Sequence, residues 1–203
     1  MTWNVQGAGN PAVLTMLKEL IRVNDPQVLA LLEPHISGDT AQRVCDRINF
    51  SGKTRVEAEG FSGGIWLFWR AELVTVTPII HHPQHITVEI SRRGETPWYF
   101  SAIYAQPDSV KKEELWRDLE AFARSHDKPW MAMGDFNDTR YLHERNGDGN
   151  TMRRRCHKFN SWLEDNNWMN LDYSGPDHTW MRGHSNSTRK WARLDRAICN
   201  SSW

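Results

Sequence analysis

Asp135 and Asn137 flank one aromatic in Gly134-Asp135-Phe136-Asn137-Asp138, a carboxylate and an amide two residues apart. In an extended chain alternate side chains share a face, so the two would point the same way. Such a pair can serve one phosphate. The carboxylate takes a proton from water or sits beside a cation, and the amide orients a nucleophile or donates to a phosphoryl oxygen. Asp and Asn also cap ordinary turns, and judged alone Gly-Asp-Phe-Asn fits a turn better than a catalytic site.

The elements around the pair decide between these readings. Residues 130–133 are a short apolar run between Pro129 and Gly134, the pattern of a strand buried on both faces. Gly134 is expected to turn the backbone sharply after it. Other strands end in the same manner. Residues 1–5 carry Asn4 near their end, the apolar run 28–32 delivers Glu33 to its exit, and residues 98–104 end in Tyr104, whose hydroxyl could donate to a phosphate oxygen. Asp195 lies inside the apolar strand pattern of residues 190–198; it is either paired with Arg193 or Arg196 or assigned to a site. Taken singly, Glu33 also fits a solvated loop and Tyr104 a structural strand end.

Helical spacing connects these strands. Val13, Leu17, Leu20 and Ile21 give residues 12–23 an apolar stripe, and Leu115, Leu119 and Phe122 do the same for residues 110–124. Residues 40–47 suit a short helix with Thr40 as N-cap. Residues 152–165 suit another, with Arg153, Arg154 and Arg155 in its first turn, where positive charge opposes the helix dipole. Segments 55–59, 65–69, 73–77, 85–90 and 98–104 are β-rich, separated by turn signals such as Ser62-Gly63-Gly64 and Arg93-Gly94. They predict a mostly antiparallel series. A polar, hairpin-like loop to Ser187 precedes the last strand pattern.

Composition narrows the class. At 203 residues the chain suits one domain with a real core. Lys+Arg 25 balances Asp+Glu 25, which excludes a strongly basic nucleic-acid wrapper. The balance is uneven: nine Lys/Arg against five Asp/Glu from Thr151 onward leave sixteen against twenty before it, which permits a phosphate-facing side. Eleven Trp in a chain of mean hydropathy −0.68 suggest aromatic anchors of the core. Cys45, Cys156 and Cys199 have neither the count of a disulfide framework nor the spacing of a zinc site, and favour a reducing compartment. No apolar run approaches the about 18 residues of a membrane span, and the start lacks a signal-peptide pattern. A soluble intracellular protein, nuclear or cytoplasmic and monomeric, without membrane contact, is expected.

Seven motifs in order carry a resemblance over nearly the whole chain. They are Trp3-Asn4-Val5-Gln6-Gly7 with Gly9-Asn10-Pro11; Leu31-Leu32-Glu33; Ser62-Gly63-Gly64 with the run from Trp66 to Trp69; Ala102-Ile103-Tyr104; Gly134-Asp135-Phe136-Asn137; Asp172-Tyr173-Ser174-Gly175-Pro176 with Thr179-Trp180; and Arg193-Leu194-Asp195-Arg196. The sequence resembles the endonuclease/exonuclease/phosphatase superfamily with the DNase I-like fold. More closely, it is similar to the apurinic-type endonuclease domain of plant LINE (non-LTR) retrotransposons. The resemblance implies an α/β, four-layered α/β sandwich of two packed, mostly antiparallel sheets flanked by helices. It implies metal-dependent hydrolysis of a phosphodiester, with DNA as substrate nicked to leave a 3′-hydroxyl. Glu33, helped by Asn4, would hold Mg²⁺ (or Mn²⁺). Asp135 would deprotonate the attacking water, Asn137 would position it, Tyr104 and Thr179 would contact the phosphate, and Asp195 would orient a histidine.

That histidine belongs to a Ser-Asp-His segment which the family places after the Arg-Leu-Asp-Arg strand, and the sequence ends at Trp203 before such a segment. His178 and His184 precede Asp195, while His81 and His82 sit at a strand end. The domain, residues 1–203, is therefore expected to be C-terminally truncated, with one sheet edge unpaired. Loss of a general acid costs roughly 10² to 10⁴ in rate. Three expectations follow: a Mg²⁺-dependent DNA nuclease weakened by truncation, a non-catalytic remnant that binds nucleic acid or serves structure, or a phosphatase or lipid phosphodiesterase on the same fold.

Overall fold

The computed structural model describes residues 1–60, 62–147, 149–183, 185 and 188–203; His184 and Ser187 lie outside them. In chain order the elements are β1 (Thr2–Asn4), α1 (Pro11–Asn24), β2 (Val28–Leu32), α2 (Gly38–Cys45), β3 (Gly52–Val56), β4 (Ile65–Trp69), β5 (Thr75–His82), β6 (His85–Ser91) and β7 (Trp98–Tyr104). They continue with α3 (Ser109–Ser125), β8 (Trp130–Asp135), α4 (Asn150–Asp165), β9 (Met169–Asn170), β10 (Trp180–Arg182), β11 (Lys190–Ala192) and β12 (Asp195–Cys199).

Two sheets pack face to face. One has the order β1-β2-β4-β3, the other β5-β6-β7-β8-β12-β9, and β10 pairs with β11 in a separate ribbon. Alternation along the strands explains three distinct cores. Ala30, Leu32, Ile65 and Leu67 meet Ile86, Val88, Phe100 and Ala102 between the sheets. Leu29, Leu31, Trp66 and Phe68 point the other way, onto Leu17 of α1 and Ala41 of α2. On the far side, α3 and α4 cover the larger sheet through Leu115, Trp116, Leu119, Phe159 and Trp162. The layers are thus helix, sheet, sheet, helix. A strand with apolar neighbours on both faces must itself be apolar throughout, which is why residues 28–32 read as one unbroken run.

The tryptophans serve this packing. Trp66, Trp116, Trp130, Trp162 and Trp168 are buried, and the rings of Trp116 and Trp162 stack 4.3 Å apart. All three cysteines are buried and unbridged. No helix among the described residues is long and apolar enough to cross a membrane.

Several boundaries differ from the sequence reading. The second helix begins at Gly38, with Ser37 rather than Thr40 in the N-cap position. Its first N–H is satisfied from outside, by Glu57 at 3.2 Å, so no Thr40 cap is needed. The third strand lies at Gly52–Val56 rather than 55–59 because Gly52 admits the Trp69 ring, which a Cβ would meet at 2.1 Å. The strand read at 73–77 runs from Thr75 to His82, and tolerates Pro78 because β5 is an edge with a register shift there. The single strand read at 190–198 is two, β11 pairing with β10 and β12 with β8.

Candidate active site

The strands' ends bring the polar residues together. Asn4 ends β1 in parallel register with Leu32, so Glu33 leaves β2 beside it. Tyr104 and Asp135 are register partners on parallel β7 and β8. Asp195 faces Asp135 across the antiparallel β8–β12 ladder. Asp195 therefore begins its strand rather than ending it; antiparallel pairing puts the start of β12 at the same edge as the end of β8.

Asn4 joins the two sheets at this edge. Its Nδ2 donates to Glu33 Oε1 at 2.6 Å and to Asp135 Oδ2 at 3.0 Å. Its Oδ1 receives the Gln6 N–H at 3.1 Å, which orients the amide. Asn4 as it stands thus presents its amide donors to the two carboxylates and aligns them. Glu33 is held in a left-handed conformation, φ 54°, while its N–H donates to Gly64 O at 3.1 Å. Here the Ser62-Gly63-Gly64 turn earns its composition. A Cβ on Gly64 would press on Pro34 at 2.9 Å, and one on Gly63 would approach the Tyr104 ring at 3.6 Å.

Gly134 does not turn the chain. It stays inside β8 at φ +146°, where a Cβ would sit 2.1 Å from Ile103 O, so it permits the close approach of β7. The turn comes at Asn137, φ 49°. Its N–H donates to Asp135 Oδ1 at 2.8 Å, and its Nδ2 to Ala105 O at 2.8 Å. Asp135 and Asn137 are therefore neighbours through an Asx turn, not through the shared face of an extended strand. The turn reading and the site reading describe the same atoms.

Electrostatics mark Asp135. Burial, then the charge of Asp195, and more weakly that of Glu33, push its carboxyl up to about 7, against the pull of the Asn137 and Asn4 hydrogen bonds. Burial likewise raises Asp195, opposed by the Thr179 hydroxyl. Tyr104 is held well above the ordinary phenol range by burial and then by the charges of Glu33 and Asp135, so it is a neutral donor. Thr179 Oγ1 also accepts the N–H groups of Leu194 and Asp195, at 3.0 and 3.1 Å, at the break between β11 and β12. Asp195 is not paired with its neighbouring arginines: Arg196 bonds to Glu144, and Arg193 lies over the Tyr173 ring.

Glu33, Asp135 and Asp195 offer hard oxygen donors at one sheet edge, a donor type that suits a hard divalent cation. Outside this pocket, His82, His85 and Asp118 form a His/Asp group able to hold a metal ion.

Sequence reading missed two supports, His35 and Lys112, and left a third, Arg155 of the basic run, without its partners. His35 Nε2 lies 2.9 Å from Glu33 Oε2. Lys112, buried, donates to Asp138 Oδ2 at 2.7 Å and Asn137 O at 2.9 Å. Arg155 reaches the same two residues, at 2.9 Å to Asp138 Oδ1 and 2.7 Å to Asn137 O, so one member of the basic run clamps the acidic turn. Lys112 had a signal: it occupies the apolar stripe three residues before Leu115, where a charge requires a partner.

Solved structures share this architecture. The endonuclease domain of TRAS1, a telomere-specific non-LTR retrotransposon, superposes with TM-score 0.68 at 15% identity, covering 98% of this chain and 84% of that one. An AP endonuclease from Leishmania major gives 0.70 at 17% identity, over 99% and 78%. The 3′-5′ exonuclease from Neisseria meningitidis gives 0.65 at 17%, over 98% and 85%. The sandwich is a DNase I-like fold of the nuclease and phosphatase type. The profile of the Endonuclease/Exonuclease/phosphatase family matches residues 1–203, and the chain belongs to that family. Curated protein sequences gave no match.

Proposed function

We propose that the protein is a phosphodiester hydrolase that nicks DNA with the help of Mg²⁺ or Mn²⁺, as an endonuclease domain of the plant LINE retrotransposon type. The observation that carries this reading is the Asn4 amide bridging Glu33 and Asp135, from separate sheets, beside Tyr104 and Asp195. A bound divalent ion would neutralise phosphoryl charge and the leaving oxygen. Glu33, partly open to solvent, would hold it, and Asn4 keeps Glu33 and Asp135 in line.

Asp135 takes a proton from water, a role suited to a carboxyl poised near neutral pH. Asn137, tethered by its Nδ2, positions that water through Oδ1. Tyr104 donates to a phosphoryl oxygen, with Thr179 as a further contact. By its likeness to the family Asp195 would orient a histidine; among the described residues its hydrogen bonds come from Thr179 and the backbone. Residues 1–203 act as one nuclease domain.

The test is relaxation of supercoiled plasmid with Mg²⁺ and with EDTA. Metal-dependent nicking by the natural chain, lost in Glu33→Gln and Asp135→Asn, is expected. No relaxation at high protein concentration would instead identify a non-catalytic remnant. Turnover of inositol phosphates or sphingomyelin, with DNA untouched, would identify a phosphatase or lipid phosphodiesterase.

A further inference from the structure

On the helix-covered side of the larger sheet, the β5–β6 hairpin end meets α3. His85 in β6 is fully buried, 0% exposed. Its Nδ1 bonds to Thr87 Oγ1 at 3.0 Å, Thr87 to Ser101 Oγ at 2.7 Å, and Ser101 receives Trp130 Nε1 at 2.9 Å. That chain fixes the ring. Its Nε2, although buried, has no hydrogen-bond partner. An orphaned buried polar atom is costly and calls for a reason.

Nε2 of His85 lies 4.0 Å from Asp118 Oδ2, and Nε2 of His82 lies 3.5 Å from the same oxygen. The three ligand atoms all fall within 4.8 Å of one another. Asp118 and His82 are partly exposed, so the group opens to solvent on one side. We propose that His82, His85 and Asp118 form a binding site for a borderline divalent ion of the zinc class, with water completing a tetrahedron.

Two imidazoles and one carboxylate suit zinc, unlike the all-oxygen pocket at Glu33. Tetrahedral bonds of about 2.0 to 2.2 Å place ligand atoms roughly 3.3 to 3.5 Å apart. A small inward movement of Asp118 and His82, both on the solvent side, meets that requirement. The Thr87 hydroxyl supplies the outer partner that a ligating imidazole needs. As the rings stand, His82 Nδ1 accepts the Gln84 N–H at 3.2 Å. Ligation through His82 Nε2 moves its proton to Nδ1 and gives up that long contact.

The site would staple the hairpin to α3 beside Gln84, whose carbonyl receives the Tyr104 N–H and whose side chain receives Gln106 N and reaches Lys111 O. The role is therefore structural, bracing the strand end that carries Tyr104.

The test titrates metal-stripped full chain with Co²⁺, read by the visible absorption of a tetrahedral complex, and with Zn²⁺ by calorimetry and melting. In a Glu33→Gln background, which silences the other pocket, one equivalent bound is expected, weakened at least about tenfold when either Asp118→Asn or His82→Gln is added, with a Zn²⁺-dependent rise in Tm that either addition abolishes. Both changes are at partly exposed side chains, and circular dichroism checks their fold; His85, being buried, is left intact. Absence of saturable binding below about 100 μM in that background, or binding that survives both additions, overturns the proposal.

Discussion

Asp195 lies directly opposite Asp135 across the β8–β12 ladder, a half-buried carboxylate beside a buried one. Burial and this neighbour together raise Asp135 to about 7 from an ordinary value of 3.8. A group whose folded pKa is raised contributes stability that is complete below its unfolded pKa and is lost as pH rises through the folded one. The window here is pH 4 to 7, and the full span is on the order of 4 kcal/mol. Metal-stripped protein should melt progressively lower from pH 4 to 8, and Asp135→Asn should flatten the curve. Parallel curves for the two proteins would show that Asp135 is already ionised in the fold.

Asn4 separates Glu33 from Asp135 by donating to both. Asn4→Ala removes the two bonds and leaves the carboxylates facing each other. A loss of about 2 kcal/mol is expected without metal, and a divalent cation should recover most of it by taking the amide's place. Thermal melts with Mg²⁺ and with EDTA measure both quantities; an equal loss under the two conditions would mean that no cation sits between these side chains.

Lys112 is the hidden support of the turn. It is buried against Asp138 and the Asn137 carbonyl, and burial lowers its pKa while Asp138 pulls the other way. Lys112→Met leaves Asp138 with Arg155 alone and frees one side of the Asn137 carbonyl. A cost of about 3 kcal/mol is expected for breaking one arm of a buried pair. Nicking should fall further than stability, since Asn137 sits on the displaced turn. Full activity in a destabilised Lys112→Met would detach the turn's position from the chemistry.

Strand and helix periodicity made most of the fold legible. Residues 28–32 and 65–69 coincide with strands because burial on both faces demanded unbroken apolar runs, and the β-rich segment 98–104 does so with buried Ser101 in its middle. The motif residues Asn4, Glu33, Tyr104, Asp135 and Asp195 do meet at one edge. What sequence could not supply was set by partners distant in the chain. Gly134 looked like a turn because its need is a close approach of Ile103 O, a tertiary fact. Thr40 looked like a cap because Glu57 was not known to reach Gly38. The break after Ala192 depends on Thr179 accepting two N–H groups. His35 stayed unread because a histidine two residues past an acid carries no pattern of its own.

Beside Asp195, the Arg196 guanidinium is buried against Glu144, whose carboxylate also accepts the N–H groups of Arg140 and Tyr141, at 2.6 and 3.2 Å. The 3₁₀ turn Leu142–Glu144 is thereby fixed to the start of β12. Glu144→Ala would strand a buried positive charge and two backbone donors, for an expected loss of about 3 to 5 kcal/mol. A pair exchanged for apolar groups is cheaper than a pair broken, so Glu144→Met with Arg196→Met should recover part of that loss. Only part returns, because the Arg140 and Tyr141 N–H groups remain without their acceptor. Urea unfolding of both variants decides the matter. If the double variant is no more stable than Glu144→Ala, the two backbone N–H groups, rather than the charge of Arg196, are what Glu144 is there to satisfy.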